Sequence, residues 1–268
     1  MPLPITVVDA FTDTPFAGNP AAVCVLPEER DRAWMQLVAR EMNLSETAFL
    51  LLRPDHVALR WFTPTVEVDL CGHATLASAH ALWERGLLPQ DRPIRFRTKS
   101  GELFAARDGD WITLDFPALP SVPSDAPPGL VDALGAKPKA VWKYKFDYLV
   151  ELASEAAVRD HTPDHGMLGR LPVRGIVVTA AATTPGFDFV SRFFAPGSGV
   201  NEDPVTGSAH CALGPYWAAK LGKNEFTAYQ ASARGGIVRV AVKGDRVMLG
   251  GKAVTVLNAQ LVEPDKDR

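Results

Sequence analysis

The chain reads as an α+β protein made of two pseudo-symmetric lobes, each a set of strands around one buried helix. Three observations carry that reading. First, one passage occurs twice. Arg60-Trp61-Phe62-Thr63-Pro64 leads into Asp69-Leu70-Cys71-Gly72-His73-Ala74, and Arg192-Phe193-Phe194-Ala195-Pro196 leads into Asp203-Pro204-Val205-Thr206-Gly207-Ser208-Ala209. The second copy carries about three extra residues between its Pro and its Gly. Second, each copy runs into an Ala-rich apolar stretch, Leu76 to Leu87 and Cys211 to Leu221. Third, strand-like segments come in runs and do not alternate with helices, which argues against a doubly wound sheet. Repeated halves imply paired lobes, and clefts between lobes are favoured places for small-molecule sites.

The elements follow in order. Ile5 to Phe11 is rich in β-branched residues and reads as an opening strand. A loop from Thr14 to Pro20 follows, then a short strand from Ala21 to Leu26 stopped by Pro27. Asp31 to Met42 has helical periodicity. Asn43 to Leu50 leaves that helix and enters a strand, and Val57 to Phe62 is the next, ended by Thr63-Pro64. The helix expected over 72–86 is apolar nearly all round, so it is buried on most sides. Arg95 to Arg97, Leu103 to Arg107 and Trp111 to Phe116 are strands separated by turns. The proline-dense stretch Pro117 to Pro128 reads as a linker. The first lobe is therefore placed at 1–118 and the second at 119–253, with a strand at about 254–262 returning to the first. Within the second lobe a short helix is expected over 130–134. Strands are expected over 141–152, 175–180, 187–194, 226–232, 237–243 and 246–249, with the central helix over 206–221. The charged tail 263–268 is expected to fray.

Composition narrows the function classes. At 268 residues, 47% hydrophobic and 22% charged, the chain has room for one large or two ordinary domains with substantial cores. The net charge is -3 and there is no basic run, which argues against a nucleic-acid binder. The apolar runs are too short to span a membrane, and Met1-Pro2-Leu3-Pro4 does not open a signal peptide. Three widely spaced cysteines, Cys24, Cys71 and Cys211, suit neither a disulfide framework nor a zinc motif and point to a reducing, cytoplasmic setting. His161 and His165 are four apart, with Pro163 between them to break a helix. No metal is expected. No GxGxxG or Walker loop appears, so a nucleotide cofactor has no support.

Chemistry concentrates at the two repeated loops. Gly197 to Ala209 is a polar, Gly-rich approach to a helix, whose first N–H groups suit a carboxylate or an oxyanion. Plain N-capping by Asp203 or Thr206 explains the same residues equally well. Cys71-Gly72-His73 occupies the matching place. Glycine lets backbone approach a ligand, and a histidine binds, donates or relays a proton near neutral pH. Cys71, at a helix start, reads either as a thiol of lowered pKa or, more commonly, as a small buried hydrophobe. Glu46 stands among Leu44, Ala48, Phe49 and Leu50, which suits proton transfer. By itself, though, it reads more readily as a solvated strand residue or a capping-box glutamate.

Taken together, several segments resemble the phenazine-biosynthesis (PhzF-type) isomerase family. They are Asp9-Ala10-Phe11, Gly18-Asn19-Pro20, Asn43 to Thr47, Arg60 to Pro64, Cys71 to Thr75 and Glu202 to Ala209. The resemblance spans nearly the whole chain. It implies the diaminopimelate-epimerase-like fold, in which each lobe is a mixed sheet rolled around a central helix, and a homodimer without a cofactor. It implies that Glu46 moves a proton between carbons of a small, cyclic, carboxylate-bearing substrate. It places His73, Asp203 and Ser208 around that substrate, with Gly72 and Gly207 contributing backbone contacts and Cys71 and Thr206 alongside. Related epimerases and proline racemases use two opposed cysteines. Here the second is Thr206, whose hydroxyl is too weakly acidic for that relay. Two other readings stand beside this one: an epimerase using Cys71, and a binding protein that keeps the fold without the chemistry.

Overall fold

Strand pairing follows the same series of parallel and antiparallel steps twice along the chain. The computed structural model describes residues 3–145 and 147–262; the tail expected to fray lies outside them. The chain divides into two compact units, Met1–Asp115 with Gly250–Arg268, and Phe116–Leu249. In chain order the first stretch holds β1 (Leu3–Ala10), β2 (Asn19–Leu26), α1 (Arg32–Met42), β3 (Glu46–Leu52), β4 (Val57–Phe62), β5 (Glu67–Val68), α2 (Gly72–Glu84), β6 (Ile94–Thr98), β7 (Gly101–Asp108) and β8 (Trp111–Pro117). The second holds β9 (Val122–Pro123), α3 (Leu130–Leu134), β10 (Ala140–Tyr144), β11 (Asp147–Glu151), α4 (Glu155–Arg159), α5 (His165–Leu168), β12 (Gly175–Ala181), β13 (Phe189–Ala195), β14 (Val200–Asp203), α6 (Gly207–Leu221), β15 (Glu225–Gln230), β16 (Gly236–Lys243) and β17 (Arg246–Gly251). The last strand, β18 (Ala253–Leu261), pairs antiparallel with β1 inside the first unit.

In the first unit β1 is antiparallel to β2, β2 parallel to β3, and β3 antiparallel to β4. β4 is antiparallel to β5 and parallel to β6, which is antiparallel to β7. In the second unit β10, β11, β12, β13, β14, β15 and β16 repeat those steps in that order. The result is a mixed sheet with few helices, an α+β architecture. Register fixes which residues correspond. Thr47 stands opposite Phe62 and Ile176 opposite Phe194, so the residues just before them, Glu46 and Gly175, occupy equivalent places. A side chain at Gly175 would lie 2.2 Å from the Phe193 ring. The second repeat therefore has no room for a counterpart of Glu46.

One ion pair marks the repeat. Arg60 grips Glu67 through Nε and Nη2, at 2.7 and 2.9 Å, and Arg192 grips Glu202 through the same atoms at the same distances. Such two-pronged pairs fix geometry as well as charge. Each glutamate lies five residues before the first residue of a central helix, Gly72 or Gly207. The three extra residues of the second copy lie ahead of Glu202, around a 3₁₀ turn at Pro196–Ser198. Asp203 pairs with Phe193 on β13 as Val68 pairs with Trp61 on β4, so Val68 is its counterpart.

Both central helices are buried as their all-round apolar character requires. In α2, ten of thirteen residues are buried; in α6, nine of fifteen. Helix α2 ends two residues earlier than expected, at Glu84, before Gly86 with φ +65°. Pro215 inside α6 has no N–H for the carbonyl of Cys211, and that carbonyl accepts from Leu119 N–H at 3.0 Å instead. Helix α1 starts at Asp31, which accepts from Trp34 N–H at 2.8 Å, and ends at Asn43 in the left-handed conformation, both favoured caps. It packs Met35 and Ala39 over Leu3, Ile5, Ala22, Cys24, Phe49 and Phe62.

Two expectations for the second unit need correction. The single strand expected over 141–152 is a hairpin of β10 and β11, with Tyr144 opposite Asp147. The turn has no Gly or Pro to announce it, and Lys145 takes φ +44° in their place. Within the expected linker, β9 forms a short strand on β10.

Glu155 anchors this unit. Its carboxylate accepts from the backbone and hydroxyl of both Thr183 and Thr184 and pairs with Arg159. Burial opposes its ionisation, but these donors outweigh burial and hold its pKa far below the usual glutamate value. Its contribution is thus full above the unfolded pKa of about 4.3 and fades as pH falls toward the lower folded value. Glu155→Ala is expected to cost about 3 kcal/mol at pH 7 and progressively less below pH of about 4. Urea titrations of both proteins across that range check it.

Candidate active site

The sequence-predicted residues gather in two sets, one in each unit. Glu46, Cys71, Gly72 and His73 come together in the first. Glu46 opens β3, while Cys71 is the N-cap of α2 and His73 its second residue. His73 is the hub. Its Nε2 lies 3.1 Å from Glu46 Oε2, and its Nδ1 lies 3.2 Å from Asn19 Nδ2 and 3.5 Å from Cys71 Sγ. In the neutral ring, an Asn19 N–H donated to Nδ1 makes that nitrogen the acceptor. The ring proton of the neutral form then sits on Nε2, facing Glu46. The Glu46–His73 contact is close but poorly aligned. Neither Oε2 nor Nε2 makes a hydrogen bond among the described residues, so both keep capacity for a further partner.

The electrostatics follow from burial. Cys71 is buried. Burial, reinforced by the charge of Glu46, pushes its thiol pKa up to about 11, against the smaller opposing influence of His73. The lowered pKa that a helix start favours is therefore not realised, because desolvation outweighs the dipole. For His73 burial opposes the charged form, but negative charge at Cys71 and Glu46 and the close approach of both side chains outweigh it, and its pKa stands well above the ordinary value.

In the second unit Asp203, Thr206, Gly207 and Ser208 surround the start of α6. Thr206 is the N-cap, yet its hydroxyl does not cap; it donates to Asp203 Oδ2 at 2.5 Å. Cys71 likewise makes no side-chain cap on α2. Neither N-cap side chain thus satisfies the first N–H groups of its helix, which carry partial positive charge. Gln230 braces the loop: its Oε1 accepts from Thr206 N–H at 2.8 Å and its Nε2 donates to the Asp203 carbonyl at 2.7 Å. Ser208 Oγ lies 3.4 Å from the Arg174 guanidinium, which is anchored by the buried Asp147. Asn19, Arg174 and Gln230 escaped the sequence reading. The cue for Asn19 is a polar residue between Gly18 and Pro20 at the head of an apolar strand; for Arg174 and Gln230 the sequence carries no local cue.

Comparison with known proteins gives this arrangement its context. Residues 8–259 match the family model for phenazine biosynthesis-like proteins (PhzC-PhzF). An uncharacterised isomerase of Halalkalibacterium halodurans is 57% identical, over 98% of this chain and 99% of its own length. The crystal structure of a PhzF-family phenazine biosynthesis protein from Enterococcus faecalis is 40% identical, with a TM-score of 0.94 over 98% of this chain and 100% of that one. A probable proline racemase from Agrobacterium radiobacter is 13% identical at TM-score 0.66, over 99% of this chain and 94% of that one, a likeness of fold alone. The chain belongs to the phenazine biosynthesis-like (PhzF-type) family. Among its relatives are proteins named as isomerases.

Proposed function

We propose that this protein is an isomerase that needs no cofactor and moves a proton between carbons of a small, cyclic, carboxylate-bearing metabolite, with Glu46 as the acid/base. The observation that carries the reading is the Glu46–His73 pair: two titratable groups 3.1 Å apart, one of them buried, each with unused hydrogen-bonding capacity. Glu46 takes the proton from an acidic C–H and returns it at another carbon. His73 holds and polarises the substrate through Nε2. The backbone donors at Gly72 and Gly207 stabilise negative charge as it develops. Asp203 is proposed to hold and polarise the substrate as His73 does, Ser208 to bind its carboxylate, and Thr206 to contribute a substrate contact. The reading extends to a homodimer, tested by sedimentation equilibrium, and to a cytoplasmic setting, which the three free cysteines support.

The test is deuterium uptake at carbon in D2O, read by mass spectrometry over a panel of small cyclic and amino acids that includes dihydro-hydroxyanthranilate, diaminopimelate and proline. Uptake that depends on Glu46 supports the proposal; ligand binding in the panel without any uptake favours the silent binding protein. Cys71→Ser separates the epimerase alternative. A thiol whose pKa is pushed up to about 11 is a poor base at neutral pH, so the expected loss is less than about tenfold. A loss as large as that of Glu46→Gln would favour the cysteine-based reaction.

A further inference from the structure

Glu46, Cys71 and His73 offer one oxygen, one sulfur and one nitrogen, all within 4.8 Å of one another. All three belong to the first unit. Cys71 Sγ lies 3.5 Å from His73 Nδ1, which is the separation that a thiolate and an imidazole sharing a tetrahedral ion require when their bonds are about 2.3 and 2.0 Å. Cys71 and His73 are buried, whereas the Glu46 side chain is 18% exposed, so the carboxylate forms the solvent-facing side through which an ion enters. Glu46 Oε2 makes no hydrogen bond among the described residues; it stands 3.1 Å from the other ring nitrogen, Nε2, so completing the site takes a side-chain rotation that brings it round to the sulfur and Nδ1. Sulfur with imidazole and carboxylate is a donor set suited to borderline-soft divalent ions.

We propose that Glu46, Cys71 and His73 form a binding site for a thiophilic divalent cation of the zinc and cadmium class, which competes with the proton of Cys71. The reaction is an exchange without redox change: the thiol S–H bond and an N–H bond of the protonated His73 ring break, S–metal and N–metal bonds form, and the two protons leave to solvent. His73 ligates as neutral imidazole and Glu46 as carboxylate. Three protein ligands leave a fourth position for water or a small anion. The site goes beyond the isomerase reading and does not depend on it, because it is read by spectroscopy and not by turnover.

The experiment is an anaerobic titration of the full chain with cadmium ions at pH 7. It follows the ultraviolet charge-transfer band of a cadmium–thiolate bond and the protons released. The expected result is saturation at one equivalent, about two protons per ion, one from Cys71 and one from His73, and loss of the band when zinc is added in excess. Cys71→Ser is expected to abolish the band, Cys211→Ser to retain it, and Glu46→Gln to weaken binding roughly tenfold or more. Absence of a saturable band, or a band that survives in Cys71→Ser, would overturn the assignment. Should Cys71→Ser not fold, Glu46→Gln carries the test: unchanged affinity there removes the carboxylate from the site. A failed titration leaves the hydrogen-exchange result standing, and a failed exchange assay leaves the titration standing.

Discussion

Glu46→Gln is expected to lower carbon-bound hydrogen exchange by at least about a thousandfold, with ligand affinity changed only a few-fold. General acid/base catalysis by one positioned group is worth roughly a hundred- to ten-thousandfold, and the amide keeps the shape of the carboxylate while removing its proton chemistry. The same substitution acts on His73, whose pKa is raised by Cys71 first and by the neighbouring Glu46 second. A histidine with a raised folded pKa contributes stability that is fully present below the unfolded value of about 6.5 and is lost as pH rises through the folded value. Native protein is therefore expected to lose a larger increment of stability toward alkaline pH than Glu46→Gln does. Denaturant titrations on both sides of that range measure the difference, while mass spectrometry of deuterated product measures exchange. Exchange within tenfold of the native rate in Glu46→Gln would remove Glu46 from the chemistry.

Gly18→Ala is expected to destabilise the first unit by roughly 3 kcal/mol, a fall in Tm of roughly 6–12 °C if the unit melts as one. Gly18 has φ +64°, and a Cβ there would stand 2.2 Å from the carbonyl oxygen of Ala10 and 2.7 Å from Thr12 Cγ2. Ala10 lies on β1, which is paired on both edges by β2 and β18, so the carbonyl cannot yield. The chain passes directly from Gly18 to Asn19, whose amide faces His73, so the displacement reaches the site as well. Gly86→Ala is the control. Its φ of +65° is nearly the same, but nothing lies within 4 Å of the added atom, and only the left-handed strain of about 1 kcal/mol remains. Equal losses in the two variants would show that backbone conformation, not the clash, sets the cost.

Much of this was legible in the sequence because it rests on local pattern. The repeated Arg-aromatic-Phe passage marked the two central helices, and the apolar faces of α2 announced its burial. Glu46 and His73 were found one motif at a time; that they meet is a consequence of β3 and α2 lying together, which no local spacing encodes. Burial decided the fate of Cys71, since desolvation outweighed a helix dipole that the sequence displays openly. Residues reached from distant strands, such as Gln230 on the Asp203 loop and Arg174 beside Ser208, left no trace in periodicity.

The Phe193 ring pressed against Gly175 carries a stereochemical consequence. Where opposed acids flank a carbon, one strips a proton from one face and the other delivers to the opposite face, so configuration inverts. A duplicated scaffold that carries this glutamate in one copy and a glycine in the other has only one such glutamate to work with. If Glu46 moves the proton, removal and return share one face of the substrate's plane, the migration is suprafacial, and the product carries one handedness.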